Sequence, residues 1–323
     1  MLLLFLSCSS PKVLDSSLVT EDTNQTQEPE NSEPTTEDTQ ENEPESNDSQ
    51  EFSLIFHVEE SDSGGLSLSS NLPMNTQDCV QRSLSNLDCT DADLDGYTDI
   101  WENLVIEHFR PILSLDEQEP FPDDPEGVFA QIARLTTTQE WIDIYIVLAW
   151  SKDYGRCGIS GHPGDSERVV IRLRPDIQNN GASVHSVYTA AHEGEITDAG
   201  RIWREEELHM LTHTIDSNGF PRWVVYPSEG KHATFATIEH CESVSIIPCL
   251  DEDCAPDNVS NPDDWWLLGS VLNVGEENAP LADDLSEIGF VHESAWGMQD
   301  FCGGVGTTGC SSPIREKLLQ NPF

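Results

Sequence analysis

Five acidic side chains between Asp91 and Glu102 have the types and spacing needed to hold a hard cation. The stretch reads Asp91-Ala92-Asp93-Leu94-Asp95-Gly96-Tyr97-Thr98-Asp99-Ile100-Trp101-Glu102 and matches D-x-[DN]-x-[DN]-G-x5-E at every specified position. Calcium takes six to eight oxygens at roughly 2.3–2.6 Å. On this pattern Asp91, Asp93 and Asp95 wrap the ion, and Gly96 allows the sharp turn. The Tyr97 carbonyl adds an oxygen, Asp99 reaches through water, and Glu102 closes the site with two oxygens. The expected cofactor is therefore calcium (Ca2+). The alternative is an acidic, solvated turn.

A second group of chemistry-bearing residues lies downstream. Gly161-His162-Pro163-Gly164-Asp165-Ser166-Glu167 precedes an alternating run, Val169 to Arg174. Period-two counting places Asp165 and Glu167 on the side of Val169, Ile171 and Leu173. Carboxylates entering a core are costly unless paired or metal-bound. His192 and His232 each follow a β-rich run, so groups from several strand ends can converge at one rim. One reading gives a ligand or second metal site made by His162, Asp165, Glu167, His192 and His232. The structural alternative pairs Asp165 and Glu167 with Arg168, Arg172 or Lys231, and makes the histidines core or rim residues. His209 and His213 have i, i+4 spacing, although their surroundings read equally well as a strand.

The elements that must position these residues are mostly strands. Trp141 to Trp150 is apolar on both faces apart from Asp143, which marks a central strand. Val184 to Ala191 and Trp223 to Tyr226 read as strands in the manner of the alternating run Val169 to Arg174, with an Asn218-Gly219 turn before the latter. Around the acidic loop the signals are helical. Thr76 caps a short helix reaching Leu84, and Trp101 to Phe109 forms an exiting helix that Pro111 stops. The fold class expected is mainly β, a β-sandwich of antiparallel sheets, with a small helical calcium-loop segment and a disordered N-terminal tether.

Composition bounds the rest. The chain has 323 residues, 15 Lys plus Arg against 60 Asp plus Glu, and a formal charge of −45. No Lys or Arg occurs between Lys12 and Arg82. Such a polar, acidic stretch buries too little apolar surface to offset its ordering entropy. The expected organisation is a lipoprotein-like signal at 1–8, a disordered acidic linker at 9–72, a calcium loop with its flanking helix at 73–110, and a β-rich domain at 111–323. Roughly 240 residues then remain for one core and a small appendage. Without a basic stripe, no nucleic-acid partner is expected. Divalent cations are the natural counter-ions.

Met1 to Ser9 is a short apolar run containing Cys8. It resembles the end of a bacterial lipoprotein signal, with Cys8 as the lipidated residue. The run is too short to cross a bilayer, which needs about 20 apolar residues. Membrane association is thus expected only through an N-terminal lipid anchor, with the tether holding the domain off the surface. The protein is expected to be exported, as an outer-membrane or cell-surface lipoprotein or else as a secreted or periplasmic protein. Eight further cysteines read as disulfides in that compartment. Close spacing favours Cys79–Cys89, Cys249–Cys254 and Cys302–Cys310 and leaves Cys157–Cys241, although spacing alone does not fix the pairing. No C-x2-C pair supports zinc.

The loop Asp91–Glu102 resembles calcium loops of the EF-hand and thrombospondin type. Its eighth position, usually aliphatic in paired EF-hands, is Thr98, which argues for a lone loop. His162-Pro163-Gly164-Asp165-Ser166-Glu167, Ser186 to Gly194 and Val225 to Phe235 are similar to three signature blocks of the vacuolar protein sorting 62 family. His108 to Pro122 resembles its opening segment, and Ala295-Trp296-Gly297 its closing one. The first block also resembles G-H-R-H-D-W-E of the necrosis-inducing proteins, secreted β-sandwiches that bind a divalent metal and membrane sphingolipid head groups. On that resemblance His162, Asp165 and Glu167 match the motif. Gly164 stands where a metal-associated histidine is usual, and Ser166 replaces the tryptophan. The resemblance implies a β-sandwich that binds a membrane lipid head group, a glycan or a protein partner. The competing function is a metal-dependent hydrolase built on the His162/Asp165/Glu167/His192/His232 cluster, with Glu167 or His192 as general base. No G-x-S-x-G, H-E-x-x-H or glycine-rich phosphate loop occurs.

Overall fold

The longest apolar run becomes the centre of the main sheet. β5 (Ile142–Asp153) is buried along its first ten residues and pairs antiparallel with β4 (Phe129–Thr137) on one side and β6 (His162–Asp176) on the other. Its one charged core residue, Asp143, is opposite Arg172 in the register and accepts two hydrogen bonds from that guanidinium, both 2.7 Å. A cross-strand ion pair with both oxygens satisfied is how a carboxylate tolerates full burial.

A computed structural model describes residues 56–82, 89–116, 118–124, 127, 129–138, 140–155, 161–193, 198–216, 218–244, 252–254, 271–276, 302–303 and 312–323. The signal at 1–8, Cys8 and residues 9–55 of the expected linker lie outside the described residues. So do Cys157, Cys249, Cys310 and the Ala295-Trp296-Gly297 segment.

The main sheet has eight strands. β1 (Phe56–Glu60), β2 (Leu66–Ser70), β7 (Gly181–Thr189), β6, β5, β4 and β12 (Val271–Asn273) follow in that order, and β8 (Arg201–Arg204) also pairs with β7. All pairings are antiparallel except β12 with β4. A four-stranded sheet centres on β10 (Pro221–Pro227), which pairs antiparallel with β9 (His213–Ile215) and β11 (Thr234–Phe235). Its partner β3 (Ile112–Leu113) runs parallel to it. The chain is thus mainly β, and each of these two sheets carries one parallel pair where the sequence suggested antiparallel sheets throughout. Among the described residues no helix is long and apolar enough to cross a membrane.

β1 and β2 fall inside the stretch expected as linker, so ordered structure begins well before residue 72. Leu66 and Leu68 alternate with serines and are buried in the main core. β2 is a strand because β7 offers it a ladder, Leu68 opposite Ala182. At Gly181 a side chain would collide with the Leu68 carbonyl, so glycine permits this approach. A composition average over the linker hides a five-residue alternation of this kind.

Two helices frame the acidic loop: α1 (Thr76–Arg82) before it and α2 (Asp99–Phe109) after it. α2 buries Trp101, Val105, Ile106 and Phe109 at helical spacing against the inner face of the main sheet. Truncating a fully buried Trp such as Trp101 to Ala typically costs about 3–5 kcal/mol. The opposite sheet face packs under the C-terminal helix α4 (Ile314–Leu319), through Ile314 and Leu318. A short helix α3 (Ile238–Ser243), capped by Thr237, carries Cys241.

Candidate functional site

The acidic loop folds around its own carboxylates. One oxygen from each of Asp91, Asp93 and Asp95 lies within 4.8 Å of the others. Two oxygens on opposite sides of one calcium ion stand about 4.6–5.2 Å apart, so this spacing fits a shared hard cation. Backbone amides hold the carboxylates in place. Asp95 N–H donates to Asp91 Oδ1 (3.1 Å), Gly96 N–H to Asp91 Oδ2 (3.2 Å), and Tyr97 N–H to Asp95 Oδ1 (2.9 Å). Leu94 and Gly96 take positive φ, 62° and 105°, which closes the loop. Asp95 Oδ2 is buried with no hydrogen-bond partner. Leaving such an oxygen unmatched is costly, and a cation would satisfy it.

Glu102 lies one turn into α2 and is buried, outside the tight trio. Burial first, and then the charges of Asp95, Asp93, Asp99 and Asp91, push its carboxyl up to about 9. Burial and the neighbouring carboxylates likewise raise Asp95 to about 6, against a backbone bond from Tyr97. Crowded carboxylates that resist ionisation are what a divalent cation would relieve. Asp99 accepts from Ala92 N–H at 3.0 Å, so its side chain braces the loop. The hard-oxygen donor set is of the kind that suits calcium: Asp91, Asp93 and Asp95 would hold the ion, with Tyr97, Asp99 and Glu102 at the positions the pattern assigns.

Thr98 explains how a single loop is braced. It is fully buried; its hydroxyl donates to Pro73 O (2.7 Å) and its N–H to Met74 O (3.2 Å). Tyr97 forms an antiparallel bridge with Asn75. The segment before α1 therefore supports the loop, and the Cys79–Cys89 disulfide ties that helix to the loop's entry.

The second cluster forms where β6 begins, next to the segments after β7 and β10. Its centre is His232, fully buried, with Nδ1 3.2 Å from Asp165 Oδ2 and Nε2 3.4 Å from Glu119 Oε1. Burial alone would lower this imidazole; the two carboxylates reverse the effect and raise it to about 9. Glu119 also accepts N–H bonds from Phe121 (3.1 Å) and Gly230 (2.8 Å). Burial opposes ionisation of Glu119, but His232 and these amides win and hold it below the usual carboxylate range. The imidazole stacks on Trp150, ring centroids 4.1 Å apart.

His192 occupies a neighbouring position, with Nε2 2.8 Å from Glu252 Oε1. Its backbone N–H donates to Glu167 Oε1 (3.3 Å). Burial lowers the ring, but the bond and charge of Glu252, with Glu167, raise it to about 9. Glu252 is driven the other way, to about 2, because His192 and Lys231 outweigh its burial. Glu167 faces Lys317 Nζ from α4 at 3.4 Å; burial still lifts it to about 7. His192 and His232 both adopt positive φ, 55° and 60°, a strained region for non-glycine residues that clusters at functional sites.

The structure thus joins Asp165, Glu167, His192 and His232 and corrects their partners. Asp165 pairs with His232 and Glu167 with Lys317, whereas Arg168, Arg172 and Lys231 pair with Glu193, Asp143 and Glu252. Lys231 and Lys317 come from segments that the alternation of β6 cannot foresee. His162 is described only by its backbone, paired with Asp153. Glu119, Glu252, Trp150 and Lys317 were not anticipated; Glu119 alone had a signal, lying in the segment that carries the opening-block resemblance. His209 and His213 sit on separate elements, and His213 pairs with Glu60 at 3.5 Å.

The disulfide expectations change as well. Cys79–Cys89 forms as expected, but Cys241 bonds Cys254. This excludes both Cys249–Cys254 and Cys157–Cys241. The fold brings α3 beside the Glu252–Cys254 stretch, a closeness that spacing does not show. A separate groove of about 630 Å³ lies along α2 and β12, lined by Leu72, Ile100, Leu104, Val271 and Leu272, and contains none of the cluster residues.

No family model matches the chain, and no curated protein matches it. Among solved structures, one described as a toxin fold for microbial attack and plant defense is similar at 16% identity, over 55% of this chain and 86% of that one, with a TM-score of 0.29. NLPPya in complex with mannosamine is similar at 14% identity, over 54% of this chain and 84% of its own, with a TM-score of 0.28. NLPPya in complex with glucosamine gives 15% identity, 54% and 85% coverage, and a TM-score of 0.29. At such scores the likeness carries no argument, and function has to be read from this chain's own residues.

Proposed function

We propose that this protein is a calcium-binding module of the cell exterior, whose β-rich domain recognises a lipid head group, a glycan or a protein partner. One observation carries the calcium reading: three carboxylates converge within 4.8 Å, and Asp95 Oδ2 is buried without a partner. Calcium at this position would brace the loop between α1 and α2 and so fix the helix that packs the main core. Among the described residues, the disulfides Cys79–Cys89 and Cys241–Cys254 support an exported protein.

The recognition surface is the rim around His192. Its support is backbone strain at two histidines on a network of buried charges. The metal-dependent hydrolase alternative draws no comparable support. Glu167 and Glu252 already face Lys317 and Lys231, and Asp165 and Glu119 share the His232 imidazole.

The test is metal analysis with titration calorimetry on the full chain. We expect one tight calcium per chain, lost in Asp95→Ala. Unchanged stoichiometry in that variant would refute the calcium assignment.

A further inference from the structure

The strand β12 and the residues that follow it rest on the acidic loop and its helix at two points. β12 pairs with β4 through Val271 opposite Gln131, Leu272 opposite Ile132 and Asn273 opposite Ala133, and Val274 N–H then donates to Ala133 O (2.8 Å). Gly275 next crosses Asp93. Its φ is 121°, and a β-carbon there would lie 2.8 Å from Asp93 Oδ2, so the approach needs glycine. The second point is Asn103, which follows Glu102 on α2. Its Nδ2 donates to Glu276 Oε1 (2.7 Å), and its Oδ1 accepts from Asn273 Nδ2 (3.1 Å). One amide thus bridges to residues 170 and 173 positions later in the chain.

The remainder of this seam is loosely made. The groove of about 630 Å³ lies between α2 and β12, with Ile100 and Leu104 on one side and Val271 and Leu272 on the other. Gln131, opposite Val271, is buried, and its Oε1 has no partner among the described residues. Opening the seam would hydrate that oxygen and so lower the cost of release. β12 is a short edge strand whose seating depends on where the loop and α2 hold Asp93 and Asn103.

The charges at this corner give an ion leverage over the seating. Asp91, Asp93, Asp95 and Asp99 all act against the charge of Glu102. Glu276 adds a carboxylate from the β12 side. Arg134 of β4 offsets part of the repulsion at Asp93 and Asp95, while its Nη1 donates to Leu318 O (3.3 Å). A dication among these groups removes the repulsion. Without one, Asp93 and the start of α2 are driven apart, and these carry the two points on which 271–276 rests.

We propose that calcium in the loop controls the docking of 271–276 on the sheet edge. The bound ion holds Asp93 and Asn103 where they seat the strand. In its absence 271–276 leaves β4, while β4, β5, β6 and β7 stay paired. This rests on the calcium reading above and adds a regulated element to it. Coupling of this kind is reciprocal, so release of the strand weakens calcium by the same factor.

The experiment is hydrogen exchange by NMR on the full chain, with calcium and with chelator, beside titration calorimetry. The Val274 amide should exchange about tenfold faster without calcium, measured relative to the amides of β5. Asn103→Leu removes both bridging bonds. In that variant Val274 should exchange fast at every calcium concentration, and calcium affinity should fall about tenfold. If the variant does not fold, the wild-type comparison decides. Calcium bound by calorimetry with Val274 exchange unchanged, or changed by the same factor as β5, overturns the coupling and leaves the calcium reading intact. Calorimetry that shows no calcium bound to wild type overturns both.

Discussion

The imidazole of His232 lies flat on the indole of Trp150, with ring centroids 4.1 Å and planes 7° apart. His232 lies between Asp165 and Glu119, one ring nitrogen toward each, and the indole covers its face. A cation over a desolvated aromatic ring gains attraction beyond simple packing. The pairing explains how two carboxylates are kept inside the sheet edge.

Removing that cation should be costly. His232→Asn retains a side chain that tolerates positive φ but loses the charge, leaving Asp165 and Glu119 buried together. Breaking such a buried pair costs about 3–5 kcal/mol, a melting-temperature drop on the order of 10 °C for a domain of this size. Thermal denaturation checks this. A drop no larger than a single surface substitution produces would show that the charge network contributes little.

The same shifts set a pH profile. His232 and His192 are raised from 6.5 to about 9 on folding, so their contribution is complete below about 6.5 and lost as pH rises through 9. Glu252 is lowered from 4.5 to about 2, so its contribution is complete above about 4.5 and lost as pH falls through 2. Denaturant midpoints should peak between about pH 4.5 and 6.5 for this network. The alkaline arm should flatten in His232→Asn. An unaltered alkaline arm would assign the loss to other groups.

Calcium should stabilise the fold by mass action. At a hundredfold excess over its dissociation constant the gain is about 2.7 kcal/mol, or roughly 5–10 °C in melting temperature. Chelation should reverse this in wild type and leave Asp95→Ala unchanged. A wild-type protein indifferent to chelator would contradict the assignment.

Gly275 offers a subtler test of the loop. Its φ is 121°, and a β-carbon there would come within 2.8 Å of Asp93 Oδ2. Gly275→Ala should weaken calcium binding by displacing Asp93, although residue 275 lies outside the loop. Calorimetry on the variant reads this directly, and unchanged affinity would show that Asp93 can shift freely.

Peptide mapping under non-reducing conditions should recover Cys241 linked to Cys254 and Cys79 linked to Cys89. Replacing both Cys241 and Cys254 by Ser opens a loop of 13 residues in sequence separation, worth about 3 kcal/mol in the chain-entropy account. It should also lower the His192 pKa, because Glu252 loses its tether. Recovery of a Cys249–Cys254 peptide would refute the observed pairing.

Local spacing alone determined the acidic loop. Its acidic positions lie within twelve consecutive residues, and one turn with glycine at Gly96 brings Asp91, Asp93 and Asp95 together. The period-two alternation of β6 likewise marked Asp165 and Glu167 as carboxylates that become buried. The β1–β2 hairpin was present as an alternation at Leu66 and Leu68, but its ladder with β7 depends on chain 116 residues away, Ser67 opposite Ser183. Which cation meets which carboxylate was decided only by tertiary structure. Lys317 reaches Glu167 across 150 residues, and Glu119 reaches His232 across 113. Charge pairing acts through space and leaves no periodic trace along the chain. A sequence therefore shows which groups must be neutralised, and the packing of its sheets and helices chooses what neutralises them.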